Sequence, residues 1–392
     1  MLLTSLQWLV LLLALAPFVY YLVCIYCIYA FFSKNARPPS SSGAFAPPIS
    51  ILKPVRGVDR EAYENFASFC RQDYPEYEVL FAVADVDDPA IRIIVRLIRN
   101  FPERSIRLLV GAPPLGANSK VNKLCRLVRE AKYDLLVMND SDVRVDRNYL
   151  RDVAAPFAKP QVGAATTFYR GMAEGSIAAK LEGLALATET VPNALVARQM
   201  EGKVQFAFGW TMATTKQHLA QIGGFEAMAN HHSDDFELGN RIAAQGLSIE
   251  FVRHPVWMVF PKETIREYLR HELRWAIGLR NVRPAGYFGL ALTFGMPWAV
   301  LAAVASPSLG IAAGYLLAYM VLRLGQTWAA GVWGLGDPLT RKNLWLVPLR
   351  DALNFVVWTT GCFSSKIKWR GLDFQVKKGL LIPLVSTKTA RT

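Results

Sequence analysis

The chain has 392 residues, 52 % of them hydrophobic, with 44 lysines and arginines against 31 aspartates and glutamates, a formal charge of +13. The apolar excess sits in residues 2–32 and from Gly286 onward, leaving a middle of ordinary soluble composition large enough for one substantial globular domain. Five scattered cysteines exclude a disulfide framework, and no nucleic-acid module accompanies the basic charge, so an anionic lipid surface is the expected partner and nucleic acid is not.

Residues 2–32 contain no charged side chain and exceed the roughly twenty residues that cross a hydrocarbon core, with Trp8, Tyr20, Tyr21, Tyr26 and Tyr29 for the interfaces. This is too long for a signal peptide and lacks a basic start and a small-residue cleavage site, so it reads as an uncleaved anchor. Cys24 and Cys27 form a C-x-x-C inside it, where a thiolate site would be costly, and read as packing residues. Lys34, Arg37, Lys53 and Arg56 follow, and the positive-inside tendency places the middle domain in the cytosol. The Pro-, Ser- and Gly-rich stretch 37–48 reads as a linker. The expected division is an anchor at 1–33, a linker at 34–48, a globular domain at 49–284, and membrane or interfacial helices with a basic tail at 285–392.

Within the domain, 49–52, 78–84, 106–110 and 135–138 are predicted strands, separated by helices at 61–71, 89–100 and 118–131. That alternation predicts an α/β fold with a mostly parallel sheet. Residues 204–214 read as a further strand, 217–222 as a short helix broken by Gly223-Gly224, and 235–245 as a helix stopped by Gly246. A helix at 265–280 carries basic residues over much of its surface. Apolar segments then run at 288–304, 309–322 and 344–363. If all three crossed, the count with the anchor is four, read as placing Lys366, Lys368, Arg370, Lys377 and Lys378 on the domain's side. The middle segment is short for a span, and an interfacial or re-entrant path stays open.

Ligands of open α/β sheets bind at the carboxyl ends of strands. Asp85, Asp87 and Asp88 follow the second strand, where carboxylates accept from nucleobase N–H or ribose hydroxyls, though a turn before Pro89 explains them equally. Asp140 and Asp142 flank Ser141 at the end of the fourth strand. Their alternation lets both converge on one divalent ion, Mg²⁺ or Mn²⁺, against a nucleotide diphosphate. Asp234 and Asp235 open a helix, as N-cap and first-turn acids in the plain reading. In the chemical reading, Asp235 removes a proton from an incoming hydroxyl. His231 and His232 beside them read as loop residues, with a supporting hydrogen bond or metal role as the alternative. Arg274 can neutralise a departing diphosphate and Trp275 can pack a sugar or lipid acceptor; blandly, the pair snorkels at a membrane interface.

The order of these motifs resembles that of the membrane-bound GT-A glycosyltransferases of family two and its relatives. More closely, Ser50-Ile51-Leu52-Lys53-Pro54-Val55-Arg56-Gly57-Val58-Asp59, Asp73-Tyr74-Pro75, Asp87-Asp88-Pro89-Ala90-Ile91, Ala131-Lys132-Tyr133-Asp134-Leu135 and Lys368-Trp369-Arg370-Gly371 are similar to strings of the ceramide glucosyltransferases, family 21. The resemblance covers about residues 1–380. It implies a Rossmann-like GT-A (nucleotide-diphospho-sugar transferase) domain with N-terminal and C-terminal membrane or interfacial helices. By the same resemblance, Asp87, with Asp85 and Asp88 nearby, is the first family aspartate, Asp140 the second, and Asp235 the third and the base. Arg274 and Trp275 match the end of a (Q/R)-x-x-R-W signature whose first position is His271 here, and Asp142 stands where the ceramide enzymes usually have glycine. Lys120 and Asn122, in Asn118-Ser119-Lys120-Val121-Asn122-Lys123, match a stretch beside the diphosphate.

The implied reaction is inverting transfer of a hexose from a UDP-sugar to a lipid hydroxyl, with UDP-glucose and ceramide first. A bacterial hopanoid-associated glycosyltransferase that puts N-acetylglucosamine, from UDP-N-acetylglucosamine, on a hydroxylated hopanoid is also similar, and points to a multi-pass protein of a bacterial inner membrane. A polysaccharide synthase and a non-catalytic membrane scaffold are the remaining alternatives.

Overall fold

Residues 2–33, 45–173, 175–369 and 371–384 are described in a computed structural model of the chain. Most of the expected linker, with Lys34 and Arg37, lies outside the described residues, as do Arg370 and the end of the basic tail.

Eight strands form one sheet: β1 Ile49–Pro54, β2 Tyr77–Val83, β3 Ser105–Val110, β4 Leu135–Met138, β5 Val143–Arg144, β6 Val162–Met172, β7 Met212–Thr215 and β8 Ser248–Val259. Their order is β3-β2-β1-β4-β7-β6-β8-β5. The first four run parallel. β7 is antiparallel to both its neighbours, and β6 and β8 pair in parallel. β1, β2 and β4 are buried throughout and apolar apart from Ser50, Lys53 and Glu78, as parallel strands covered by crossover helices require. The crossovers are the helices Ala62–Cys70, Ala90–Asn100 and Ser119–Glu130. Ile94 and Leu97 are the buried face of the second, and the third starts on Asn118, whose side chain accepts from the Lys120 and Val121 amides.

The mixed half departs from the sequence reading. Of the expected strand 204–214 only residues 212–214 lie in a strand, β7 Met212–Thr215. Ahead of it the chain turns, with Thr211 N donating to Phe208 O, and Ala207 N donates to Asp235 O instead of a ladder partner. β6 and β8 were not expected: the small residues Gly163, Ala164 and Ala165 blunt the pattern of one, and His254-Pro255 interrupts the other.

The anchor is two helices, Leu2–Leu13 and Ala16–Phe32, broken just before Pro17. Its Phe31 packs edge-on against Phe168 and Phe251 of the sheet. Among the described residues, three helical stretches are long and apolar enough to cross a membrane: Thr4–Phe32, Pro284–Ala305 and Leu309–Gly334. The segment at 344–363 is not one of them. Its helix, Val347–Phe363, carries fully buried Arg350, bonded to Tyr268 and paired with Glu189 and Glu272, and Asp351, paired with Arg323. After it, β9 Lys366–Trp369, β10 Leu372–Lys377 and β11 Leu380–Pro383 form an antiparallel sheet. Ile367, Phe374, Val376 and Leu381 of this sheet cluster on Ile277 of the helix Ile265–Val282. The tail therefore lies against the domain, and the four-crossing count does not fit. One crossing before the domain and three after it would leave the tail on the opposite face.

Candidate active site

The carboxyl end of β4 is pinned from beneath. Buried Asn139 donates to Tyr149 Oη, Trp210 O and Thr211 Oγ1, and wholly buried Lys53 donates to Asp140 O at 2.6 Å. Ser141 Oγ hydrogen-bonds Asp59, so the turn that separates Asp140 from Asp142 is held on both sides.

Lys120, in the first turn of its helix, places Nζ 2.8 Å from Asp140 Oδ1 and 3.4 Å from Asp234 Oδ2. Burial works against this ammonium, but Asp140, Asp234 and Asp235 outweigh it and hold it charged, above the ordinary lysine value. Asp235 opens the helix Asp234–Ala244; its Oδ2 accepts from Gly209 N at 2.9 Å and its Oδ1 from Phe236 N at 2.8 Å. Burial first, then the Asp234 charge, push the Asp235 carboxyl up to about 6, with Lys120 opposing them. Gly209 is where these groups meet. A Cβ there would lie 3.1 Å from Lys120 Nζ, 3.3 Å from Asp140 Oδ2 and 3.4 Å from Asp235 Oδ2.

A divalent cation fits the acids at this edge. Burial first, then Asp140 and Asp59, push Asp142 up to about 7, and its buried Oδ1 has no hydrogen-bond partner. Crowded carboxylates with an orphan oxygen call for positive charge beyond Lys53. No set of three or more His, Cys, Asp and Glu among the described residues is arranged to hold a metal. A pair of carboxylates, completed by donor phosphates and water, is nevertheless what Mg²⁺ ordinarily takes.

Asp85 and Asp87 are exposed at the carboxyl edge of β2, and Asp85 Oδ1 accepts from Asp87 N. Asp88 differs from the expectation of a donor contact: its carboxylate accepts from Gly57 N and Ala90 N, tying two loops together. Asn122 differs likewise. Its amide is engaged at both ends by the Gly116 backbone, because an amide supplies the donor and acceptor that this loop needs. Trp275 lies beside the site, its ring 6.4 Å from that of Trp210 with planes 23° apart. Arg274 sits over Trp369 of the tail. His232 donates its amide to Gly379 O, and burial, then Arg274, push its imidazole down to about 3. Its Nδ1 lies 3.1 Å from Ser233 Oγ, which accords with the supporting hydrogen bond rather than with an exposed loop residue.

Lys53, Asp59, Gly209 and Trp210 are site neighbours that the sequence reading missed. Lys53 had a signal, a lone cation inside an apolar strand; Gly209 and Trp210 were hidden within the supposed strand 204–214.

A family model, Glycosyl transferase family 21, matches residues 9–382. The chain belongs to glycosyl transferase family 21. Among similar proteins, ceramide glucosyltransferase 3 of Caenorhabditis elegans is 26 % identical over 261 residues, 66 % of this chain and 56 % of that protein. A ceramide glucosyltransferase of Komagataella phaffii is 32 % identical over 143 residues, 34 % of this chain and 28 % of that one. The match to the two Caenorhabditis elegans relatives thus spans about half of their length. A mannosyltransferase from Pyrobaculum calidifontis, solved in complex with GDP-Man and Mn²⁺, superposes with a TM-score of 0.53 at 18 % identity, covering 91 % of this chain and 99 % of that one. The family 21 chain has the GT-A fold that the resemblance implies, on the α/β sheet that its alternating strands predict.

Proposed function

We propose that this chain is a membrane-bound inverting glycosyltransferase that moves a hexose from a UDP-sugar to a lipid hydroxyl, with glucose to ceramide as the first reading. The convergence of Asp140, Lys120 and Asp235 around Gly209 carries it, because it sets a cation-and-acid edge beside a carboxylate suited to take a proton. The acceptor oxygen attacks the anomeric carbon while the bond from that carbon to the diphosphate oxygen breaks, and UDP leaves with the electron pair. Asp235 takes the hydroxyl proton; a base near 6 is ionised at cytosolic pH yet still basic enough to help. Lys120, held charged at a helix start, and Arg274 balance the growing charge on the leaving group. Asp140 and Asp142 would hold a Mg²⁺ or Mn²⁺ ion, whose charge stabilises the departing diphosphate. Asp85 and Asp87 face the nucleoside, Asp88 and Asn122 brace the surrounding loops, and Trp275 packs the acceptor.

Residues 49–284 form the transferase domain on the cytosolic face, preceded by the anchor at 1–33 and linker at 34–48. The anchor crosses once and the pair Pro284–Ala305 and Leu309–Gly334 crosses and returns. Within 285–392, that parity keeps the stretch after Gly334 on the domain's side, in a bacterial inner membrane. The lipid acceptor then enters from the bilayer.

The test is purified protein in detergent with Mg²⁺ or Mn²⁺, a panel of UDP-sugars and total membrane lipid, read by mass spectrometry. Hexosyl-ceramide is the expected product; a hexosaminyl-hopanoid would move the reading to that acceptor. Asp235→Asn should cut transfer about 10²–10⁴-fold while UDP-sugar still binds. A polymer in place of a glycolipid, or biological function intact in Asp235→Asn, would overturn the proposal.

A further inference from the structure

We infer that His271 is a positioning residue for Trp275, fixing the aromatic wall against which the acceptor lies. What the wall does rests on the function proposed above; how it is held does not. His271 and Trp275 stand four residues apart on the helix Ile265–Val282, hence on one face. The indole Nε1–H donates to His271 Nε2 at 2.9 Å. An indole N–H can only donate, so His271 Nε2 bears a lone pair and the ring proton lies on Nδ1. Nδ1 meets Glu182 Oε1, and Glu182 is buried, so the tautomer is set by a carboxylate that cannot turn elsewhere.

Glu263 lies beside Glu182. Burial first, then the neighbouring Glu182 carboxyl, push Glu263 up to about 9. Burial, then the Arg274 charge, push His271 down to about 4, which keeps the imidazole neutral and able to accept from the indole. Without that bond, Trp275, which is 48 % exposed, could rotate about its two side-chain torsions. With it, the ring lies along Trp210, whose own Nε1 is fixed to Thr167 O at 2.7 Å. Trp210 adjoins Gly209, whose amide holds Asp235. The orientation of the wall is thereby referred to the carboxylate that takes the proton.

Glutamine offers one acceptor and one donor group at similar reach; leucine offers neither. In protein labelled at the tryptophan indole nitrogens, the Trp275 Nε1–H resonance is assigned by its absence in Trp275→Phe. It should keep its downfield position in His271→Gln and move upfield in His271→Leu. In the transfer assay, His271→Leu should raise the acceptor KM about tenfold with the donor KM unchanged, and His271→Gln should recover most of that loss. In a Trp275→Phe background, His271→Leu should add nothing. An indole resonance unmoved by His271→Leu, or equal impairment by Gln and Leu, overturns the inference. If no variant or native protein transfers sugar to lipid while the resonance behaves as expected, the proposed function falls and the hydrogen-bond assignment stands.

Discussion

At the scale of the residue, the proposed role of Asp235 as the base makes a pH prediction. With its carboxyl held up to about 6, kcat should fall about tenfold per pH unit below that value and level off above it. A pH–rate profile still flat at about pH 5 would remove Asp235 as the base. The sign for stability is opposite to that of a salt-bridged acid. The folded value lies above the unfolded one, so the folded state binds the proton more tightly; this stabilisation is full below about pH 4 and is lost as pH rises through about 6. The Tm of Asp235→Asn should therefore exceed that of the native chain at about pH 7.5 and converge with it near pH 4, as calorimetry can check. Gly209 is the other sensitive point. Its alanine variant should keep the fold by circular dichroism yet lose roughly ten- to a hundredfold in kcat/KM, since the added methyl must push Lys120, Asp140 or Asp235 by tenths of an ångström. Asp140, Asp142 and Asp235 were legible because paired acids stand out at strand ends and helix starts. Gly209 was not, because close approach is a tertiary fact that one glycine in an apolar run does not announce.

At the scale of the element, the parallel half of the sheet was legible and the mixed half was not. β1, β2 and β4 are largely apolar runs with amphipathic helices between them, so local pattern and tertiary burial agree. β6 and β8 draw their stability from pairing with each other across more than eighty residues, which pattern does not report. The helix Val347–Phe363 misled for a different reason: its apolar composition suggested a span, whereas Arg350 and Asp351 make it a structural clasp. Arg350 receives Glu189 from one side and Glu272 from the other, so Arg350→Met removes the cation they share and leaves Glu189 to Arg323, 3.5 Å away. A loss of about 3–5 kcal/mol is expected, visible as a large drop in Tm in detergent. A change below about 1 kcal/mol would mean that water reaches these acids.

At the scale of the whole molecule, the tail joins regions far apart in sequence. His232 donates to Gly379 O and Leu381 donates to Asn230 O, both at 2.8 Å, while Trp369 packs against His232 and under Arg274. Deleting residues 365–392 should leave the membrane helices and the sheet folded yet lower transfer more than about tenfold, with new proteolytic cleavage near 226–235. Full activity after deletion would make the tail an ornament of the surface.

The same tail orders events in time. Residues 366–383 are translated after Pro284–Ala305 and Leu309–Gly334. The loop that presents Asp234 and Asp235 therefore receives its last backbone partners only when the apolar helices already exist. A nascent chain stalled before Lys366 has every acid of the site but lacks the strands that steady two of them. In the transferase proposed above, full activity then waits for β9, β10 and β11.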